Sequence, residues 1–333
     1  MKKWFWIILF FLETTSVHAQ PNVIDTSIIP ASELNGKVWA VASQSVINVY
    51  VDPTYRAEMT TQVLLGTPLK VLAKKRGWYQ IVTPEGYEGW ISSSLRRMDS
   101  VTLHQMNMRP RIIVTANNSF VYEGKNKKQI VAEVVMGNIV YADSPKKQKG
   151  LYKVSLPDGR KGYIKVAAVK KWEDWRSSIR LTGESILQVA AKYIGLPYFW
   201  GGVSTRGVDC SGLTKATYFM HGIILPRDAR QQYLTGANVD TTNQLAFLQK
   251  GDLLFFGYKN EEEPSGYRII HTGIYLQNKQ FIQAGDGCVQ MSSLNPADNN
   301  YDAHNGKRFV AARRIIHGSG NGTWRVFDHP WYQ

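Results

Sequence analysis

One segment of this chain occurs twice. Gly77-Trp78-Tyr79-Gln80-Ile81-Val82-Thr83-Pro84-Glu85-Gly86-Tyr87-Glu88-Gly89-Trp90-Ile91 returns about 70 residues later as Gly150-Leu151-Tyr152-Lys153-Val154-Ser155-Leu156-Pro157-Asp158-Gly159-Arg160-Lys161-Gly162-Tyr163-Ile164. Each copy reads as a strand, a Pro-acid-Gly turn and a second strand, and Tyr79, Ile81 and Thr83 alternate onto one face. Hairpins of this kind build small barrels. Runs at Val46 to Val51 and Leu69 to Ala73, and again at Arg111 to Thr115 and Ile130 to Val135, supply the remaining strands.

The two copies resemble bacterial SH3 domains, in which a Gly-Trp-Tyr strand leads through a turn to Gly-Trp-Val. The modules are placed at residues 37–100 and 101–172, after a linker or N-terminal arm at 20–36. Beyond Trp172 the pattern turns helical. Thr182 is positioned to cap a helix carrying Ile186, Val189, Ala190, Tyr193 and Ile194 on one face, with Gly195 as its stop. Asp209 caps a second helix that begins at Cys210 and closes at Gly222. Strand candidates follow at Asp252 to Phe256, His271 to Leu276, Gln280 to Ala284 and Val289 to Ser292, so residues 173–333 read as an α+β domain.

The first residues carry an address. Lys2 and Lys3 precede an apolar run from Trp4 to Leu12, and Val17-His18-Ala19 offers a cleavage site before Gln20, so residues 1–19 read as a signal peptide. That run is shorter than the roughly 20 apolar residues of a membrane span, and no later stretch supplies one. The expectation is an exported protein of the periplasm or cell envelope, with no lipid anchor because no Cys lies beside the cleavage site. The formal charge of +14 becomes +13 when Lys2, Lys3 and Glu13 leave, which suits anionic partners or simple solubility equally. No nucleic-acid motif is present. Two cysteines in 333 residues read as separate thiols, because a chain of this size needs no staple.

Cys210 opens a helix, where free N–H groups and the helix dipole favour a thiolate and can stabilise an oxyanion, although a lone Cys in that place is more often structural. The surrounding residues decide between these. Pro197-Tyr198-Phe199-Trp200-Gly201-Gly202, Asp209-Cys210-Ser211-Gly212-Leu213, Leu225-Pro226-Arg227-Asp228, Gly251-Asp252-Leu253-Leu254-Phe255-Phe256 and His271-Thr272-Gly273-Ile274-Tyr275 follow in the order found in the NlpC/P60 cysteine peptidases, which this chain resembles. The resemblance implies a papain-like domain that cuts peptides of peptidoglycan next to γ-linked D-glutamate. It makes Cys210 the nucleophile, His271 the general base and Tyr198 an oxyanion-hole hydroxyl. Asp209 and Ser211 resemble positions that hold substrate polar groups, their alternative roles being helix cap and first turn. Trp200 lines the cleft wall. Asp228 is available to bind a substrate ammonium or to cap the turn after Pro226.

Two positions depart from the commonest pattern. Gln283 stands where relatives often have a His, and its carbonyl can accept the N–H of His271 and fix the tautomer, as the Asn of papain-like enzymes does. Ala229 replaces a Ser, removing a hydroxyl within reach of substrate. Two SH3-like modules ahead of such a domain resemble the envelope γ-D-glutamyl-L-diamino acid endopeptidases, where the first module closes one end of the cleft around a free N-terminal L-alanine. Tyr87, with Asp52 as its acidic companion, looks like the lining of that end, the alternative being an exposed barrel turn. The expected partners are murein tripeptide or tetrapeptide stems, diaminopimelate and lysine being equally open at the third position. A monomer is expected, without cofactor or metal, since no Cys-x-x-Cys or His-x-x-x-His spacing occurs. His104, His221, His304, His317 and His329 read as surface residues and Cys288 as a small hydrophobe of a strand. The rival reading is a wall-binding protein with an inactive peptidase domain.

Overall fold

The repeated segment folds as a repeated hairpin. Trp78–Val82 pairs antiparallel with Glu88–Ser92, Tyr79 opposite Ile91, and Leu151–Ser155 pairs with Lys161–Lys165, Tyr152 opposite Ile164. Both turns end on a glycine at positive φ, Gly86 at 83° and Gly159 at 95°, a backbone region that costs a side-chain-bearing residue. A computed structural model describes residues 27–144, 146–242, 245–315 and 322–333. The proposed signal peptide, residues 20–26, His317 and Gly318 lie outside the described residues.

Each hairpin sits at the centre of its own sheet. In the first the order is Met59–Leu64, Val46–Tyr50, Glu88–Ser92, Trp78–Val82, Pro68–Lys75, Trp39–Ala42, Leu95–Met98. In the second it is Ile130–Val135, Asn118–Tyr122, Lys161–Lys165, Leu151–Ser155, Ile139–Ala142, Arg111–Val114, Val169–Lys171, strand for strand the same arrangement. Val49, Val71, Ile81 and Ile91 fill the first barrel, and Val121, Val140, Val154 and Ile164 the second. Burying each such side chain stabilises by about 1.5–3 kcal/mol. The supposed linker is corrected in part: Ile28–Pro30 is a strand on the edge of Pro68–Lys75, followed by a short 3-10 turn at Ala31–Glu33. Its apolar residues add to a sheet edge that would otherwise be open.

The barrels touch through backbone. The Ile139 N–H donates to the Leu65 carbonyl at 2.8 Å, and the Asn138 side chain donates to the Ser45 carbonyl at 2.9 Å. Gly66 lies at this contact with φ of 84°, and a Cβ there would collide with the Ile139 carbonyl oxygen.

The remaining chain is an α+β unit. Helices Gly183–Ala191 and Cys210–Phe219 pack on a six-stranded antiparallel sheet ordered Ala237–Val239, Phe309–Arg314, Leu253–Lys259, Tyr267–Gln277, Gln280–Gly285, Cys288–Ser293. Leu213 from the second helix meets Leu253, Phe255, Ile274 and Ile282 from the sheet in one buried core. Phe309–Arg314 joins this sheet without a clear strand signature, because its alternation is broken by Ala311 and Ala312, and pairing with Leu253–Lys259 makes it a strand.

The C-terminal residues tie the three units together. Trp324–Arg325 pairs with Ile223–Ile224, Trp331 stands edge-on to Trp39 at 5.2 Å, and Asn107 and Arg111 donate to the carbonyls of Trp331 and Tyr332 at 2.9 and 2.7 Å. His329, buried rather than on the surface, bonds the Pro84 carbonyl at 3.0 Å, and His221 is buried on the Thr217 carbonyl at 2.9 Å. Among the described residues no helix is long and apolar enough to cross a membrane.

Gly66→Ala should lower the free energy of unfolding by about 2–4 kcal/mol, from the left-handed backbone and the forced separation of the barrels. Urea denaturation checks this, and an unchanged midpoint would contradict the tight contact described.

Candidate active site

Cys210 is the first residue of the helix Cys210–Phe219, and Asp209 caps it by accepting the Gly212 N–H at 2.7 Å. Gly212 is required by proximity, because a Cβ would collide with the Gly202 carbonyl oxygen. The Gly201-Gly202 turn is thereby held against the start of the helix. Burial, reinforced by the Asp209 charge, pushes the Cys210 thiol up to about 12, while N–H groups of Thr272 and Ser211 and the Arg227 charge act in the other direction. Burial likewise takes the His271 imidazole below its usual value; Gln283 and the nearby Asp302 and Asp286 oppose this and Arg308 adds to it. At neutral pH the thiol and the imidazole are therefore both uncharged.

His271 lies on the strand Tyr267–Gln277, beside Thr272, whose N–H addresses the thiol. Its Nε2 donates to Gln283 Oε1 at 2.6 Å. Gln283 is 1% exposed, on the neighbouring strand Gln280–Gly285, and its Nε2 donates to Ser292 Oγ and Asp302 Oδ2, both at 2.7 Å. With the carbonyl oxygen toward the ring, Nε2 carries the imidazole proton and Nδ1 is left as the ring's acceptor. Tyr198 is half-buried close to Cys210, and burial raises its hydroxyl to about 12, with the Cys210 and Asp209 charges adding to it. It is therefore a neutral donor at ordinary pH.

Asp209 does the work of a structural hub. Its Oδ2 accepts from the Gly201 N–H at 2.9 Å and from Arg227 at 2.5 Å, and its Oδ1 from Arg227 at 3.2 Å besides the cap. Ser211 Oγ accepts from Arg227 at 2.8 Å. The substrate contacts expected of Asp209 and Ser211 are replaced by this network, since both side chains are buried and engaged within the protein. Arg227 was legible only as a motif letter, yet it is 2% exposed and also donates to Thr61 Oγ1 of the first barrel at 2.8 Å. Breaking a buried pair by removing one partner typically costs about 3–5 kcal/mol.

The first barrel contributes side chains to the same region. Trp200 is 59% exposed and its Nε1 donates to Glu58 Oε1 at 3.1 Å. Gln62 Oε1 accepts from the Val203 N–H at 3.1 Å, and the half-buried Lys215–Glu85 pair at 3.1 Å crosses the junction on its other side. Tyr87 is partly buried; desolvation raises its hydroxyl, the Asp228 charge raises it further, and Arg227 and a hydrogen bond with Thr60 pull it down. Tyr87 and Asp228 thus lie within electrostatic reach of each other at the junction. Asp52 is exposed in the turn where its carbonyl accepts the Thr54 N–H, and Glu58, also exposed, is the acid of that loop bonded to Trp200. Nothing in the spacing distinguished two acids of one loop. The Asp228 backbone N–H donates to Gln231, and Ala229 is buried in the core instead of lining a cleft. Cys288 opens its strand half-buried, and both thiols are free. Among the described residues no group of three or more His, Cys, Asp or Glu is arranged to hold a metal.

Arg227→Met should destabilise the fold by about 3–5 kcal/mol in urea denaturation, because the Asp209 carboxylate is left buried. The pH profile follows from His271. Its protonated form cannot take the thiol proton, and a lowered value keeps it neutral to more acidic pH, so the acidic limb of kcat/KM should fall below about 6.5. A limb above that value would contradict the burial described.

The NlpC/P60 family profile matches residues 195–312, and that of the bacterial SH3 domain matches residues 45–95. The gamma-D-glutamyl-L-lysine dipeptidyl-peptidase of Bacillus cereus is 26% identical over 83% of this chain and 82% of its own length, and that of Bacillus subtilis 28% over 77% and 81%. A probable endopeptidase of Haemophilus influenzae is 38% identical over 40% of this chain and 78% of its own. The crystal structure of an NlpC/P60 family protein from Bacillus cereus shares the fold, with a TM-score of 0.68 at 23% identity over 83% of this chain and 99% of that one. The chain belongs to the NlpC/P60 family and is a cysteine endopeptidase.

Proposed function

We propose that this enzyme cleaves peptidoglycan stem peptides between γ-D-glutamate and the L-diamino acid, prefers a free N-terminal L-alanine, and acts outside the cytoplasm. The observation that carries the preference is the Glu58–Trp200 hydrogen bond where the first barrel abuts the peptidase domain, with Tyr87 within electrostatic reach of both Glu58 and Asp228. Asp228 and Tyr87, half-buried, with the exposed Glu58 carboxylate beside Trp200, suit an ammonium, and an acylated nitrogen would leave them unmatched. Relatives named dipeptidyl-peptidases support a cut counted from an amino terminus. Export is supported by the basic and apolar start of the sequence.

Chemistry follows from the triad. Cys210 Sγ attacks the γ-carbonyl carbon while His271 Nδ1 takes the thiol proton, and the Cys210 N–H and Tyr198 hydroxyl stabilise the oxyanion. The carbon–nitrogen bond breaks, His271 protonates the leaving amine, and water activated by the same imidazole hydrolyses the thioester.

Incubation with L-Ala-γ-D-Glu-diaminopimelate, its lysine counterpart and N-acetylated versions, with Cys210→Ala as control, tests this by mass spectrometry. Release of L-Ala-γ-D-Glu from the free peptides alone is expected, and Glu58→Gln should reduce the preference for the free amine roughly tenfold or more. Tyr198→Phe should lower kcat by about 10²-fold with little change in KM. No cleavage of any peptide would favour a wall-binding protein, and equal cleavage of acetylated peptides would remove the role given to the barrel.

A further inference from the structure

Gln283 sits at the position where the family commonly has a histidine, and it lacks one property of that residue. An imidazole can move its own proton to suit its neighbours; an amide cannot, and its oxygen and nitrogen ends are nearly the same size. Shape alone therefore does not decide which end of Gln283 meets His271. If the NH₂ end faced the ring, it would donate to Nε2, the imidazole proton would shift to Nδ1, and the base would be lost.

The polar surroundings decide it. Gln283 Nε2 is bonded to Ser292 Oγ, which can donate or accept and so is indifferent, and to Asp302 Oδ2, which as a carboxylate only accepts. Arg308 imposes the same orientation from the opposite charge. Arg308 Nη2 donates to Asn305 Oδ1 at 2.7 Å, and a guanidinium has no acceptor, so Asn305 must present its Nδ2 to the other side. That Nδ2 donates to Asp302 Oδ2 at 2.6 Å and to Gln283 Oε1 at 3.0 Å. Reversing the Gln283 amide would set oxygen against carboxylate and NH₂ against NH₂.

We propose that Asp302 is a positioning residue of this peptidase: acting through the Gln283 amide, it dictates which ring nitrogen of His271 carries the proton. Asp302 itself is secured on the turn that begins the short helix Ala303–Gly306, where its Oδ1 accepts the Asn305 N–H at 2.9 Å. Partial burial works against its charge, but hydrogen bonds from the Asn305 backbone and from the Gln283 and Asn305 side chains outweigh it and hold the carboxyl below its usual value. The anion is thus present wherever His271 can act as a base. The charged groups around the imidazole are Asp302 and Asp286 on one side of the balance and Arg308 on the other, with Cys210 as the proton donor. As the imidazolium forms, Asp302 is the carboxylate joined to it through one amide.

This rests on Cys210 and His271 acting as nucleophile and base, so the experiment has an arm independent of turnover. In ¹⁵N-histidine-labelled protein, His271 should be the Nε2–H tautomer, and Asp302→Asn should shift it toward Nδ1–H, because an Asn that keeps the cap turns an NH₂ toward Gln283. In turnover, Asp302→Asn should lower kcat about tenfold or more with KM within about twofold. In a Gln283→Ala background the same substitution should change kcat by less than about twofold, since no amide is left to orient. If the Asn variant does not fold, Asp302→Ser keeps a capping hydroxyl without the charge and should show the same losses. An unchanged tautomer with kcat within about twofold of wild type, or an equal loss in the Gln283→Ala background, would overturn the proposal. Inactivity of the wild type would refute the peptidase reading alone, and the tautomer measurement would still decide on Asp302.

Discussion

The pairing of Asp209 with Arg227 is the constraint on which the active site depends. A carboxylate and a guanidinium withdrawn from water are tolerable only when their hydrogen bonds are complete, and here each group is claimed from several directions. Asp209 caps the helix that begins at Cys210 and fixes the Gly201 N–H, while Arg227 reaches Ser211 and the first barrel. One ion pair thereby sets the start of the helix, the loop that covers it and the position of a neighbouring module. Gly212 permits this, because the loop passes too close for any side chain.

Around that pair the protein builds a site from two units. The peptidase domain supplies thiol, imidazole and amide on one helix and two adjoining strands, elements rigid enough to hold a proton-transfer geometry. The barrel supplies Glu58 and Tyr87 from loops, and the C-terminal residues around Trp331 and Tyr332 hold barrel and domain in register. In the proposed function, chemistry and selectivity are thus carried by different parts of the chain. The neutral resting state of Cys210 and His271 belongs to the same arrangement, since the burial that shapes the cleft also disfavours separated charges.

Much of this was legible before any coordinates. The repeated Pro-acid-Gly hairpin implied two like barrels, because turn chemistry and strand alternation are local properties, and the strand orders agree throughout. Asp209 before Cys210 implied a capped helix for the same reason, and the twelve-residue spacing of His271 and Gln283 matched two neighbouring strands whose side chains meet. The broken alternation of Phe309–Arg314 hid a strand that pairs with Ala237–Val239 on one side and Leu253–Lys259 on the other. Residues 28–30 likewise became a strand through a sheet edge that no local pattern announces.

What the sequence determined by itself was everything carried by short-range rules: the barrels, the helix that presents the thiol, the strands that present imidazole and amide, and the family they spell. Tertiary structure alone decided which acids matter. Glu58 and not Asp52 meets a tryptophan 142 residues away, Asp209 is committed to Arg227 instead of remaining open, and Asp302 stands behind Gln283. These assignments depend on the packing of remote segments and on where burial makes an unmatched charge too costly, and neither is written in the spacing of neighbours along the chain.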